Sequence, residues 1–270
     1  MDVEDPVRRH YRRDDLEGVV LAALGRSGAD LSDLRVEDLR GLDQLHAGSV
    51  EATEHLLDLL DLSTSSRLLD VGSGVGGPAR LAAERHGCRV SGVDLSPDFV
   101  ELARSLTARF SLAGQATFVL GSATTLPWSD RSFDRVMLNH VGMNLPDKAA
   151  VFAEVHRVLE PGGVFGIYEQ MLIGEGALTF PLPWADEESG SFVESPQRYA
   201  ELLGAAGFAV ESEENRAAAV AAIAAASSGP TGGLTPADLF GEGFTERLDN
   251  NIAATMTGAL APVVMVARAI

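Results

Sequence analysis

A glycine-rich turn between a short apolar strand and a helix constrains the fold of this chain more than any other feature. Residues 67–71 read RLLDV, an apolar run of strand length, and the turn GSGVGG follows at 72–77. Residues 78–87 then have the composition of a helix that ends at a glycine. Glycines permit tight turns and let a ligand approach the main chain. The first N–H groups of the following helix are free, so the sequence predicts a ligand site at this turn.

Strands and helices alternate along most of the chain after residue 48. We predict seven strands from short apolar or alternating runs, at 67–71, 89–94, 116–121, 133–139, 164–171, 208–214 and 261–270. Helical patterns separate them, and Ser96 followed by Pro97 is typical of a helix start. This alternation predicts an α/β fold, in which a doubly wound sheet has right-handed crossovers and helices on both faces.

Charge and composition exclude several classes of partner. The chain has 270 residues, 46% of them hydrophobic, which suits one large α/β domain with additions. With 39 acidic against 21 basic residues, the net charge is −18 and disfavours nucleic acid and anionic membranes. No apolar run approaches the roughly 20 residues of a membrane span. Cys88 is the only cysteine, and no histidine–carboxylate cluster has the spacing of metal ligands. We therefore expect no disulfide and no metal site. We also expect the protein to be cytoplasmic and either monomeric or homodimeric.

The spacing of the glycines alone fits two kinds of cofactor. Starting at Gly72, the turn satisfies both the G-x-G-x-x-G spacing of dinucleotide sites and the G-x-G-x-G spacing that suits S-adenosylmethionine (SAM). Asp70, two residues earlier, would repel a pyrophosphate but attract the ammonium group of a bound amino acid. Asp94, at the end of the second strand, is placed to accept hydrogen bonds from a ribose in either case. The context therefore favours SAM over a dinucleotide.

At these residues the chain resembles the class I SAM-dependent methyltransferases. LLDVGSGVGG (68–77) is similar to the first motif of that family, and SGVDLS (91–96) to its second-strand acid motif. GSATTLPWSDRSFDRVMLNH (121–140) is similar to the stretch from the adenine loop into the fourth strand, and RVLEPGG (157–163) to the turn before the fifth. The resemblance implies a seven-stranded Rossmann-like sheet whose last strand lies antiparallel inside it. It is greatest toward small-molecule enzymes of the ubiquinone/menaquinone C-methyltransferase, sarcosine/dimethylglycine methyltransferase and natural-product sugar O-methyltransferase group.

The resemblance also implies a set of cofactor contacts. The candidate positions are Asp70, Gly72, Ser73, Gly74, Gly76, Asp94, Leu95, Ser122, Ala123 and Asn139. In the family, the glycine loop and the acid before it meet the methionine end of SAM, and the second-strand acid binds the ribose. The residues after the third strand lie at the adenine. Ser122 stands where an aspartate is usual, which implies a weaker, neutral hydrogen bond to the adenine amine.

Candidate catalytic residues lie where the fourth and fifth strands end. Methyl transfer needs a dry site and an aligned acceptor, and an amine or hydroxyl acceptor also needs a base. His140 directly follows the fourth strand, and Glu169 lies near the end of the fifth. Similar enzymes often carry a histidine where this chain has Asn144, so His140 or Glu169 would replace that base. His46 belongs to an N-terminal motif shared with the same enzymes, and we expect it to close over the site.

The remaining segments are predicted to surround this core. We expect residues 1–48 to form a helical lid and residues 49–270 the SAM-binding core. The core carries a cap insertion at about 172–196 and a helical insertion at about 216–252. Three aromatic residues of the cap are candidates for lining an apolar acceptor site: Phe180, Trp184 and Phe192.

Together these features predict an enzyme of natural-product metabolism. It would transfer a methyl group from SAM to an oxygen, nitrogen or activated carbon of a small molecule and release S-adenosylhomocysteine (SAH). Three alternatives stay open: a SAM-binding protein that catalyses cyclisation or another reaction without methyl transfer, a dinucleotide-binding oxidoreductase, and a SAM-binding protein without catalysis. Release of SAH separates the first alternative from a methyltransferase, and binding of NADH identifies the second.

Overall fold

Seven strands form one mixed sheet in the computed structural model, which describes residues 15–44, 46–110, 112, 114–226, 239–241 and 243–270. The strands are β1 (Arg67–Val71), β2 (Arg89–Asp94), β3 (Ala116–Leu120), β4 (Phe133–Asn139), β5 (Leu159–Leu172), β6 (Phe208–Asn215) and β7 (Leu260–Ala269). Their order is β3-β2-β1-β4-β5-β7-β6. β7 is antiparallel to both its neighbours and the other pairs are parallel. The predicted α/β sheet, with its last strand antiparallel inside it, is confirmed.

Helices cover both faces of this sheet. They are α1 (Leu16–Ser27), α2 (Arg40–Asp43), α3 (Ser49–Leu59), α4 (Gly77–His86), α5 (Pro97–Ala108), α6 (Lys148–Val158), α7 (Pro196–Ala205), α8 (Ala217–Ala226) and α9 (Phe244–Met256). Short 3₁₀ helices lie at Val36–Leu39, Gly142–Asn144 and Glu188–Gly190. None of the helices in the described ranges is long and apolar enough to cross a membrane. The first 14 residues of the predicted lid, and residues 227–238 of the predicted insertion, lie outside the described residues.

Two apolar cores lie on opposite faces of the sheet. Along β1, Leu69 and Val71 belong to one core and Leu68 belongs to the other, as the alternation of side chains along a strand requires. All three side chains are fully buried. A central strand that is apolar on both faces is what a parallel sheet covered by helices demands. The apolar run that predicted β1 therefore reflects its position in the middle of the sheet.

The N-terminal helix is attached to the helix that precedes β3. Val20 and Leu24 of α1 are fully buried in one cluster with Leu102 and Leu106 of α5. Ser96 caps α5 by accepting a hydrogen bond from the Phe99 N–H at 3.3 Å, as its pairing with Pro97 predicted. The segment between α1 and α3 consequently runs across the carboxyl edge of the sheet.

Two elements differ from the sequence prediction. β5 begins at Leu159, five residues earlier than predicted, because Leu159 already pairs with Phe133 before a register shift in β4. The described helices of the predicted insertion at about 216–252 are α8 and α9, and α9 ends at Met256, four residues beyond the predicted boundary. The apolar spacing that ends this helix continues past residue 252 to Met256, which the prediction did not include.

The glycine turn lies at the topological switch point of the sheet. β1 pairs with β2 on one side and with β4 on the other, so the connections from these strands diverge at their carboxyl ends. Open α/β sheets bind ligands in the crevice outside such a point. The turn after β1, the end of β2 and the end of β4 meet there.

Candidate functional site

A cavity of about 1060 Å³ opens at the carboxyl ends of β1, β2 and β4. Its wall includes the glycine loop, part of the 41–49 segment, the loop after β4, and residues of α8 and α9. Sites for one drug-sized ligand occupy about 300–1,000 Å³. The cavity is therefore large enough for a cofactor and a second molecule.

The glycine loop after β1 forms one side of the cavity. Gly72 has a φ of +74°, and a Cβ there would lie 2.3 Å from the Val141 side chain, so no larger residue fits. Gly74 has a φ of +51°, and a Cβ there would meet no atom within 4 Å. Since Gly74 lies on the cavity wall, any side chain at this position would occupy ligand space.

Eight of the ten predicted cofactor residues line this cavity. They are Gly72, Ser73, Gly74, Asp94, Leu95, Ser122, Ala123 and Asn139. Asp70 and Gly76 lie off the wall. Gly76 caps α4, where a Cβ would lie 2.7 Å from the Arg80 guanidinium and the Phe118 ring, so its role in the structure is close packing behind the loop.

Several buried polar atoms without partners lie in the glycine loop and at the ends of the strands beside it. Asp70 Oδ2, Ser73 Oγ and both polar atoms of the Asn139 side chain are buried and lack a hydrogen-bond partner. Burial, reinforced by the nearby Asp94 carboxylate, raises the pKa of Asp70 to about 8. Buried polar groups normally have partners, so these atoms indicate a place where a polar ligand completes the hydrogen bonding.

Asp94 is held in place by the backbone on both sides of it. Its Oδ2 accepts a hydrogen bond from Gly74 N at 2.8 Å, and its Oδ1 accepts one from Ser96 N at 2.9 Å. Burial raises the pKa of this carboxyl, and the backbone hydrogen bonds oppose the increase. Each carboxylate oxygen retains a second lone pair, so Asp94 can accept hydrogen bonds from a diol in the cavity.

Ser122, the position where similar enzymes carry an aspartate, has a local partner. Its Oγ is 2.7 Å from Thr124 Oγ1 and accepts a hydrogen bond from Thr124 N at 3.1 Å. Both side chains lie on the cavity wall. A neutral hydroxyl pair at this end of the cavity can exchange hydrogen bonds with an aromatic amine without a charge.

Two histidines face each other on the wall. The ring centroids of His46 and His140 are 5.6 Å apart, and each ring contacts Tyr168. Burial lowers the pKa of His46 to about 4, and burial together with His46 lowers the pKa of His140 well below its usual value. His140 has a φ of +55°, an uncommon conformation for a residue with a side chain. Its Nε2 is buried and has no partner, so a neutral imidazole can accept a proton or a hydrogen bond there.

A chain of hydrogen bonds connects His46 to a buried ion pair beneath the glycine loop. Thr53 Oγ1 donates to Gln44 Oε1 at 2.7 Å and lies 2.8 Å from His46 Nε2. Gln44 Nε2 lies 3.4 Å from Asp43 Oδ1. Asp43 Oδ2 accepts from Arg80 Nη2 at 3.0 Å, and both of these side chains are at most 1% exposed.

Glu169, a predicted catalytic residue, does not reach the cavity. Its side chain is fully buried, and Oε1 accepts hydrogen bonds from Val141 N at 2.8 Å and Gly142 N at 2.7 Å. Burial raises its pKa to about 8 against the opposing effect of these hydrogen bonds and of Lys148. The strand alternation turns residue 169 to the opposite face of β5 from Gln170 on the wall. Glu169 therefore fixes the loop that carries His140.

Asn144 does line the cavity. It lies in the 3₁₀ helix Gly142–Asn144 and is 8% exposed. Trp184 of the predicted cap is also on the wall, whereas Phe180 and Phe192 are not. The geometry thus brings His46 together with His140 and Asn144 of the loop after β4.

Two amide side chains on the wall were missed by the sequence reasoning. Gln170 of β5 is 2% exposed and Asn251 of α9 is 9% exposed. The side-chain oxygen of each is buried without a partner. Gln170 directly follows the candidate acid Glu169, so considering both faces of the strand would have identified it. Asn251 carries no comparable sequence signal.

No group of histidine, cysteine, aspartate and glutamate residues suited to a metal ion occurs in the described part of the chain. Cys88 is a buried free thiol, and burial raises its pKa to about 11. Such a thiol is a poor nucleophile near neutral pH. The polar groups on the described wall are amides, hydroxyls, carboxylates and imidazoles.

Comparison with solved structures supports the fold. The chain aligns over its whole length with all of a geranyl diphosphate methyltransferase in complex with GPP and sinefungin, with a TM-score of 0.73 and 18% identity. It also aligns with the [4+2]-cyclase SpnF, with a TM-score of 0.64, 22% identity, and coverage of 81% of this chain and 80% of the cyclase.

Comparison by sequence shows that the chain is similar to methyltransferases. Residues 69–167 match the family model described as a methyltransferase domain. Methyltransferase GfsG of Streptomyces halstedii is 34% identical over 174 residues, which cover 58% of this chain and 63% of the relative. The chain spans less than two thirds of the length of the curated relatives it matches. The matched segment contains the glycine loop, Asp94 and the β4 carboxyl end, so the similarity to methyltransferases lies in the residues that form the cavity.

Proposed function

We propose that this protein transfers the methyl group of SAM to an oxygen, nitrogen or activated carbon of a small molecule. The observation that carries the proposal is that the unpartnered polar atoms of Ser73 and Asn139 and the unpartnered Nε2 of His140 belong to residues on the wall of one cavity. The first set suits an amino-acid cofactor, and the second suits an acceptor that loses a proton. The relatives support methyl transfer because they are described as methyltransferases.

The residues around the glycine loop fit SAM. We assign the methionine end to Ser73, Asn139 and the loop backbone, with Asp70 beneath it, because their polar atoms lack other partners. We assign the ribose to Asp94 and the adenine to the end of the cavity with Leu95, Ser122 and Ala123. When bound, SAM supplies a methyl group activated by the adjacent positive sulfur.

In this proposal, the imidazole side chain of His140 deprotonates or orients the acceptor molecule. His140 is neutral near pH 7, because burial disfavours its charged form. Its free ring nitrogen can take a proton as an acceptor hydroxyl or amine attacks, a contribution of about 10²- to 10⁴-fold for a general base. His46 and Asn144 border the same space, and Glu169 acts through the loop that it holds.

The outer segments act as covers in this proposal. We assign a lid to residues 1–48, a core to 49–270, a cap to about 172–196 and a further cover to about 216–252. What supports this division is that the 41–49 segment, Trp184, α8 and α9 all contribute to the cavity wall. Covering segments exclude water, which strengthens electrostatic interactions inside the site.

The setting of the reaction is also part of the proposal. We infer a role in natural-product metabolism in the cytoplasm, by a monomer or homodimer, with an acceptor that is neither nucleic acid nor membrane. The net charge of −18 supports the exclusion of nucleic acid and anionic lipid surfaces.

Calorimetric titration tests the cofactor assignment first. We expect micromolar binding of SAM and SAH and no binding of NADH. NADH binding, or no nucleoside binding at all, would contradict the proposal.

The activity needs a separate test, because the fold also occurs in a protein described as a [4+2]-cyclase. The deciding observation is release of SAH together with a methylated product. If the protein binds SAM and converts a substrate without releasing SAH, the cyclase-type alternative is favoured.

Binding of SAM near pH 7 is expected to release close to one proton. In the free protein the pKa of Asp70 is about 8, so its carboxyl is mostly protonated at pH 7. A bound ammonium group favours the carboxylate and lowers this pKa, so affinity should rise as the pH increases from about 6 toward 8. The buffer takes up the released proton, and phosphate and Tris have different heats of protonation. The difference between the binding enthalpies measured in the two buffers, divided by the difference between those heats, gives the number of protons released. In Asp70→Asn the difference should disappear; equal enthalpies in both buffers for the unaltered protein would refute the assignment of Asp70.

A further inference from the structure

Helices α8 and α9 contribute apolar side chains to the cavity wall. α8 consists of alanine apart from Val220 and Ile223 and has no polar side chain. No side chain of residues 217–225 is buried, although Val220 and Ile223 lie on the cavity wall. A helix that is apolar all round is normally buried. Its wall residues therefore present hydrocarbon to the cavity.

α9 adds a stripe of large apolar side chains to the same wall. Leu248, Ile252 and Met256 are spaced four residues apart, lie on one face of the helix and line the cavity. They are 40%, 46% and 83% exposed. Large exposed apolar patches mark binding sites, and these three side chains face a space that a ligand can fill.

The charges on the described wall are all negative, and each already has an assignment. Asp43 pairs with Arg80, Asp94 accepts backbone hydrogen bonds at the cofactor end, and Asp147 caps α6 through Ala150 N at 2.9 Å. No lysine or arginine contributes to the wall among the described residues. Within the part of the chain that the structure describes, a phosphate or carboxylate beside α8 and α9 would have no counter-charge, which is costly.

The unpartnered amide oxygens show which polar groups the ligand needs. Gln170 Oε1 and Asn251 Oδ1 are buried, lack a hydrogen-bond partner and belong to residues on the wall. A carbonyl oxygen accepts hydrogen bonds and cannot donate them. These two atoms consequently suit a molecule that carries hydroxyl or other neutral donor groups on an apolar skeleton.

We propose that the space between α8 and α9 binds an uncharged, predominantly hydrocarbon acceptor that bears hydroxyl groups. The apolar skeleton lies against α8 and α9, and the hydroxyl groups donate to Gln170 and Asn251. The inference rests on the proposed function, because it names the acceptor of the same site. It excludes nucleotides, phosphoesters, diphosphates and carboxylic acids as the favoured acceptors.

Three ten-carbon probes that differ in charge test the inference: decan-1-ol, decanoate and decylammonium. Each is titrated against the full chain saturated with SAH, with displacement of the neutral fluorophore N-phenyl-1-naphthylamine as the readout. We expect decan-1-ol to displace the fluorophore at a concentration about tenfold or more below that of decanoate, since an unpaired buried charge is penalised. Equal or tighter binding of decanoate would overturn the inference, and so would a preference for decylammonium.

A matched pair of variants locates the site. Ile252 and Ile173 are 46% and 42% exposed, but only Ile252 lies on the wall. Ile252→Asp is expected to weaken decan-1-ol binding about tenfold, whereas Ile173→Asp should leave it unchanged and both variants should retain SAH affinity. Equal loss in the two variants, or no loss in either, would overturn the inference.

The hydroxyl contact has its own control. 1-Methoxynonane matches decan-1-ol in size but has no donor, so we expect it to bind more weakly to the unaltered protein and equally well to Asn251→Leu. An unchanged preference for decan-1-ol over 1-methoxynonane in both Asn251→Leu and Gln170→Leu would overturn the role of the amides.

SAH binding separates this inference from the proposed function. If SAH binds and decan-1-ol does not, the acceptor class is wrong. If SAH does not bind, the cofactor assignment is wrong.

Discussion

Replacing Gly74 by valine is expected to weaken SAM binding by roughly 100-fold or more, about 3 kcal/mol. A Cβ at this position meets no protein atom within 4 Å, so the added side chain enters the cavity itself. The φ of +51° adds backbone strain of about 1–2 kcal/mol for a residue with a side chain. Overfilling a formed site costs a further amount of the order of 1–3 kcal/mol. Calorimetry with SAM and SAH measures the loss.

The variant Gly162→Val separates backbone strain from occupation of the cavity as causes of the weaker SAM binding. Gly162 has a φ of +79° and open space around its Cβ, like Gly74, but it lies in the turn before the buried part of β5 and not on the cavity wall. Valine there should lower the thermal midpoint by a comparable amount and leave SAM affinity unchanged. If both variants lost SAM affinity equally, the loss would come from strain in the fold, and Gly74 would not contact the cofactor.

Replacing Asp43 by alanine is expected to destabilise the protein by about 3–5 kcal/mol. The change leaves the Arg80 guanidinium at 0% exposure without its carboxylate partner. The Asp43 carbonyl also packs against the start of α4, where a Cβ at Gly77 would lie only 2.1 Å away, so the segment has little freedom to adjust. Urea unfolding followed by circular dichroism gives the free energy difference.

An exposed ion pair gives the control for this prediction. Arg198 and Glu201 form a 2.8 Å pair in which the side chains are 50% and 66% exposed, so Glu201→Ala should change stability by less than about 1 kcal/mol. The double variant Asp43→Leu, Arg80→Met removes both buried charges and should recover much of the stability. A loss below about 1 kcal/mol for Asp43→Ala would show that the buried pair is not ionic.

The cofactor end of the cavity was predictable because its determinants are local in sequence. The strand 67–71, the glycines of the turn and Asp94 lie within 28 residues, and β1 and β2 place them together by simple adjacency. Glycine spacing reports backbone geometry directly, since few other residues adopt a positive φ. The structure accordingly places Gly72, Gly74 and Asp94 on the cavity wall.

The acceptor end was less predictable because it depends on contacts between distant segments. Glu169 and Gln170 are neighbours in sequence, but strand alternation turns one to the loop after β4 and the other to the cavity. The sequence alone does not show which neighbour faces which side when both faces of the strand are buried. Asn251 reaches the wall through the position and rotation of α9, which tertiary packing determines.

The position of β7 inside the sheet has a consequence for how the chain is made. β6 pairs with β7, and β5 has β7 along its outer edge from residue 164 to residue 172. During synthesis, residues 208–215 emerge before their sheet partner, and the outer edge of β5 stays open until residues 260–269 leave the ribosome. An open strand edge can pair with another chain. The support of Gln170 and of the His140 loop is therefore complete only when β7 has formed, and until then the open edge of β5 can pair with another chain.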